Sequence, residues 1–135
     1  MASGLYPSGA TKLITGVIDV DTDNLTPALM LTTYSYSAAH DFWDDVTASE
    51  VADGTTTYLA SVSVASGVMD ATDYTFTTVS GSAIGFIILR EYDAVDASSA
   101  LLCKIEVTST TPNGNDIDIV WDSGANKIFS LSLAS

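Results

Sequence analysis

The side chains that could carry out chemistry are few. His40 is the only histidine, and Asp41, Asp44 and Asp45 follow it closely, so with abundant serines a Ser-His-Asp arrangement is available by inventory. No Gly-x-Ser-x-Gly elbow accompanies it, and Ser66-Gly67 and Ser80-Gly81 read as hairpin punctuation. A capping or exposed histidine on a short acidic helix is the better account. Asp19, Asp21 and Asp23 occupy the first three ligand positions of an EF-hand loop, but the sixth position is Asn24 where Gly is needed and the twelfth is Met30 where a bidentate Glu is needed. An Asp-rich turn facing water explains them better than calcium does. Cys103 alternates with Leu101, Ile105 and Val107, so it reads as a small core residue rather than a nucleophile. One His and one Cys fall short of the usual zinc ligand set, and no Gly-rich phosphate loop is present. No catalytic residue, metal or cofactor is therefore expected, and the chain is expected not to be an enzyme.

A different cluster stands out. Tyr34, Tyr36, Phe42 and Trp43 lie close together in a stretch that otherwise reads as connection. Rigid rings give much contact area for little ordering entropy, so these four are candidate interface residues. The same rings could equally close the open end of a sandwich.

Composition sets what must position these groups. The chain has 135 residues, 17 acidic against 4 basic side chains and a net charge of -13, yet it is 47% hydrophobic. That is the apolar content of a packed globule, so the charge belongs on the outside of something folded. Only Lys12, Arg90, Lys104 and Lys127 could meet phosphates, which argues against nucleic acid and against anionic membranes. No apolar run approaches the roughly 20 residues that span a bilayer. Residues 1–11 lack a basic start and an apolar stretch, so no secretory leader is expected. A lone cysteine allows no internal disulfide.

Abundant Thr, Ser, Val and Ile, with Glu only at positions 50, 91 and 106 and no Gln, disfavours helix and suits strands joined by Asp/Asn/Gly/Ser turns. Strands are expected over 12–20, 25–33, 55–64, 68–71, 74–78, 83–92, 100–108 and 117–121, with a last one carrying Phe129, Leu131 and Leu133. Pro27 favours an edge position or a strand start. Ile84, Phe86, Ile87, Ile88 and Leu89 make both faces of 83–92 apolar, so that strand should be the most buried. One short helix is expected near residues 38–46, with Ser37 as its cap. The expected fold is an all-β antiparallel sandwich or barrel, jelly-roll-like, with residues 1–10 as a flexible N-terminal arm and 11–135 as a single β domain.

The order of segments resembles a family of small virion proteins of tailed bacteriophages. The resemblance rests on Tyr6, Ser8-Gly9-Ala10 and Lys12-Leu13, on Gly16-Val17-Ile18-Asp19 with Asp21-Thr22-Asp23, and on a Leu-rich second strand. It continues through Tyr34, Ser35, Tyr36 and Ser37, His40-Asp41-Phe42, Asp44-Asp45-Val46 and Glu50-Val51. It closes on Asp116-Ile117-Asp118-Ile119-Val120-Trp121-Asp122 and Ile128-Phe129-Ser130-Leu131. It implies a non-enzymatic structural protein, most simply a capsid decoration (cement) protein on the outer face of the phage head. Such a protein is made in the host cytoplasm, binds the major capsid protein across capsomer seams, and self-associates, for instance as trimers at three-fold positions. The alternative is a tail fibre or spike module that recognises a host surface through the Tyr34 to Trp43 region.

Overall fold

The computed structural model describes residues 3–54, 57–124 and 127–130, the side chain of Ser130 excepted. In chain order the elements are β1 (Gly4–Leu5), α1 (Pro7–Ile14), β2 (Leu25–Leu31), β3 (Glu50–Asp53), β4 (Ser63–Ala65), β5 (Val68–Asp70), β6 (Tyr74–Phe76), β7 (Ile84–Glu91), β8 (Leu101–Thr110), β9 (Ile117–Ile119) and β10 (Phe129–Ser130). Short 3-10 turns cover Trp43–Asp45, Thr47–Ser49 and Asp96–Ser98. The fold is all-β: antiparallel strands in sheets ordered β1-β8-β7-β2-β3, β10-β5-β4 and β6-β9, with one short α-helix. Consecutive strands β2 and β3, β4 and β5, and β7 and β8 are neighbours, whereas β1 pairs with β8, β2 with β7, β5 with β10 and β6 with β9 across longer stretches of chain.

β7 lies in the middle of the five-stranded sheet and is buried along most of its length, as its two apolar faces require. One face carries Leu25, Leu29, Ile87, Leu89 and Cys103. It packs with Met69, Tyr74, Phe76, Ile119 and Trp121 from the smaller sheets and the segment after β9. The opposite face carries Ala28, Met30, Ile88 and Leu101, and is covered by Tyr6, Tyr34, Trp43 and Val46. β8 serves both faces through a bulge: Leu89 pairs with Cys103 and Arg90 with Leu101, leaving Leu102 as the extra residue. Strict alternation from 101 to 107 therefore fails, and Leu101 turns away from Cys103 into the second cluster.

Pro27 sits inside the sheet rather than at its edge or start, opposite Leu89 of β7. β3 pairs only with Ala28, Leu29 and Met30, and the Pro27 carbonyl accepts from Gly54 N–H, so the ring nitrogen faces the side where β3 pairing has ended and no donor is missed.

The N-terminus differs most from expectation. Residues 1–10 were expected as a flexible arm and 12–20 as a strand. Instead Gly4 and Leu5 pair with Lys104 and Cys103, Tyr6 N–H donates to the Leu102 carbonyl, and Tyr6 is 0% exposed. Pro7 then opens α1 at a position where its fixed φ suits a helix and its missing N–H costs nothing. Gly16, at φ +76°, ends the turn that follows. Gly9 lets the helix lie directly on β8, since a Cβ there would sit 2.5 Å from the Leu101 carbonyl oxygen and 2.7 Å from that of Leu102. Gly9→Ala gains up to about 1 kcal/mol of helix propensity, but overpacking against backbone that cannot swing aside costs about 1–3 kcal/mol. The expected net result is a lower Tm in thermal unfolding; an equal or higher Tm would mean that α1 is not seated on β8 as described.

The segment before β4 also differs. A strand is expected over 55–64, yet strand geometry starts only at Ser63, Leu59 is buried, and Val64 is 49% exposed. Ser61 adopts φ +52°, which breaks the extended run. Leu131 and Leu133 of the expected last strand lie outside the described residues.

Candidate functional site

The chain between β2 and β3 runs as an irregular strap over the second face of the central sheet and holds all four candidate interface aromatics. No α-helix forms over 38–46. Phe42 is extended and bridges to Ala100, and Trp43 N–H donates to the Ser99 carbonyl, so the chain pairs with the 99–101 segment. The Asp45 carboxylate accepts from the N–H groups of Asp41 and Phe42 at 2.9 and 3.2 Å. That local bond competes with helix, and the same two donors hold the Asp45 carboxyl below the usual carboxylate range. Ser37 caps only a turn, its Oγ accepting from Ala39 N–H.

The strap is pinned by cations from the sheet. Arg90 is 1% exposed, its guanidinium 3.9 Å from the Trp43 ring centre, and its Nη2 donates to Asp53 Oδ2 at 2.8 Å. Lys104 is also buried, its Nζ 5.0 Å from the ring centre of Phe86 and 5.6 Å from that of Tyr36. Lys12, from α1, lies 4.3 Å over Phe42. Cation–π contacts of this kind are worth about 0.5–2 kcal/mol each, more when desolvated. Three of the four candidate aromatics thus act as platforms for the chain's own bases. Trp43 and Tyr34 are buried in the core and present no ring to a partner, whereas Tyr36 and Phe42 stay half-buried.

The fourth ring, Tyr34, belongs to a hydrogen-bonded chain. His40 Nδ1 accepts from Ser37 N–H, so the Tyr34 hydroxyl donates to it at 3.0 Å, and the Tyr6 hydroxyl donates to Tyr34 at 2.7 Å. Burial, reinforced by that bond to Tyr34, raises the Tyr6 phenol far above its ordinary pKa. The arrangement ties the N-terminus to the strap. Tyr34→Phe removes the bridging hydroxyl and strands that of Tyr6 in the core, so we expect a loss of about 1–3 kcal/mol in denaturant unfolding; a change within about 0.3 kcal/mol would show that the bond carries no stability.

The other candidates are placed apart from one another. In the Asp19 to Asp23 turn, Asp19 N–H donates to Asp23 Oδ2 at 2.7 Å and Asp23 N–H to the Asp19 carbonyl at 2.8 Å, an Asp-capped turn in water. No group of three or more potential ligands that could hold a metal ion occurs among the described residues. Cys103 is buried and its thiol is pushed up to about 12, so it stays protonated. A concavity of about 490 Å³ is an apolar groove lined by Ile105 and Val107 of β8 and by Ile117, Ile119 and Trp121, together with Asp118, Asp122 and Lys127. His40 and Cys103 lie outside its lining. No helix among the described residues is long and apolar enough to cross a membrane.

Carboxyl shifts set a pH profile. Burial, then the nearby Asp53 charge, raises Glu50; burial, then Asp23 and Asp93, raises Glu91; and hydrogen bonding and repulsion from Asp19 raise Asp21. Groups raised in the fold bind protons more readily there than in the unfolded chain, so stability grows as pH falls through their raised values toward the ordinary carboxylate range near about 4. Asp45 and Asp19 are lowered, so the stability they contribute is lost below that range. Tm should rise from about pH 7 to about pH 5 and fall again on further acidification; a steady decline from neutrality would contradict these shifts.

No protein-family model, curated protein sequence or solved structure matches the chain.

Proposed function

We propose that the chain is a non-enzymatic structural virion protein, a capsid decoration protein that binds across seams of a phage head and stabilises the shell. The observation that carries this reading is the ordered resemblance from Tyr6 to Leu131. The charge distribution supports it. Arg90 and Lys104 are buried against aromatic rings and Lys12 and Lys127 are half-buried, so water meets an overwhelmingly acidic surface. Such a surface keeps particles apart and does not compete for packaged DNA. A protein that binds only the assembled shell adds interface energy to that state alone. In the tail-fibre alternative, only Tyr36 and Phe42 of the four rings keep partial exposure for recognition.

Repetition of one site over a symmetric shell implies on the order of hundreds of copies per particle. Quantitative gels of purified virions test this. A count of about a dozen or fewer would sink the head reading and move the protein to the tail or neck.

A further inference from the structure

We propose that the ion pair of Arg90 and Asp53 is a binding site for ordered internal water, which bridges the guanidinium and the carboxylate and completes the pair. Arg90 on β7 and Asp53 on β3 reach each other across β2, and they meet through one contact, Nη2 to Oδ2 at 2.8 Å. Arg90 is 1% exposed and the Asp53 side chain 15%. Three polar atoms of the pair are sealed from solvent and have no hydrogen-bond partner among the described residues: Arg90 Nε, Arg90 Nη1 and Asp53 Oδ1. The Trp43 ring, centred 3.9 Å from the guanidinium, offers a π face and an N–H donor but no acceptor lone pair. Stacking therefore leaves the N–H groups unserved. Buried polar atoms are nearly always hydrogen-bonded, to protein or to ordered water, because an unmet one gives up its hydration for nothing.

The make-up of this orphan set chooses the ligand. It holds donors on the guanidinium and an acceptor on the carboxylate, so what sits between them must both accept and donate. A halide or oxyanion would accept from Arg90 but meet Asp53 Oδ1 as a like charge, and a metal cation would take Oδ1 but meet the guanidinium in the same way. The two formal charges already cancel, so neutrality calls for no ion. Water is neutral, accepts and donates, and is held in protein interiors where two or more polar groups converge. Bridging in this way adds a second link between β7 and the edge strand β3.

Arg90 is the only arginine in the sequence, so its Nε–H and Nη–H signals identify themselves in nitrogen-edited spectra of the full chain. At least one of these protons should show direct cross-relaxation with water, with the sign of a long-lived contact, while Nε–H exchanges slowly with bulk solvent. A high-resolution crystal structure should place an oxygen within about 3.2 Å of both a guanidinium nitrogen and Asp53 Oδ1. Bromide-soaked crystals supply the competing result, since an anomalous peak at that position would assign the site to an anion and overturn the water. Protected N–H protons without cross-relaxation, together with no density between the two side chains, would overturn the site altogether. Rapid exchange of Nε–H would do the same, by showing that the guanidinium is solvated from outside.

Discussion

Asp53→Ala is expected to cost about 3–5 kcal/mol, because it leaves a buried guanidinium without the carboxylate it is paired with. Arg90 is 1% exposed, and its ion pair with Asp53 rests on a single 2.8 Å contact through Nη2. Its Nε and Nη1, and Asp53 Oδ1, have no hydrogen-bond partner among the described residues. A buried pair this incompletely satisfied gains little over an apolar substitute, although breaking it from one side is expensive. Arg90→Met fills similar volume, keeps a side chain on the Trp43 ring and removes the charge that Asp53 compensates. The double variant Asp53→Ala/Arg90→Met should therefore recover most of the stability lost in Asp53→Ala, and a denaturant double-mutant cycle measures the coupling. If the two losses simply add, the ion pair does not couple β3 to β7 across β2.

The same residues show how far the sequence could be read. β7 was legible because Ile84, Phe86, Ile87, Ile88 and Leu89 leave neither face polar, and β6 and β9 were legible from alternation between turn clusters. What alternation cannot carry is a change of parity, and the bulge at Leu102 reverses which face Leu101 serves. α1 was missed because Gly9 weakens a helix of only eight residues, although Pro7 marked its first turn. The aromatics of the strap were visible as a cluster, but their partners Arg90 and Lys104 lie some fifty residues or more along the chain, on strands whose apolar character drew attention to other positions. A usable signal did exist: two bases inside apolar strands must be paired or stacked, and the only dense group of rings lay between β2 and β3.

Trp43→Ala should lower stability by about 3–5 kcal/mol, the usual cost of removing a large ring from a packed interior. For a chain of this length that is roughly a 10–20 °C fall in Tm. The loss has more than one source. Trp43 is 2% exposed, covers Ala28, Met30 and Ile88 together with Tyr34 and Val46, and carries the Arg90 guanidinium on its face. Removing the ring opens a cavity over the central sheet and takes a buried cation off its platform at once. Trp43→Phe keeps an aromatic face with less volume and should lose substantially less. An interface role makes the opposite forecast, with Tm unchanged and partner binding abolished. Thermal unfolding beside shell co-sedimentation separates the two, because a buried ring must report in the melt before it reports in binding. A Trp43→Ala protein that melts with wild type but no longer sediments with shells would return the strap to the surface and undo its assignment as the cover of the second core.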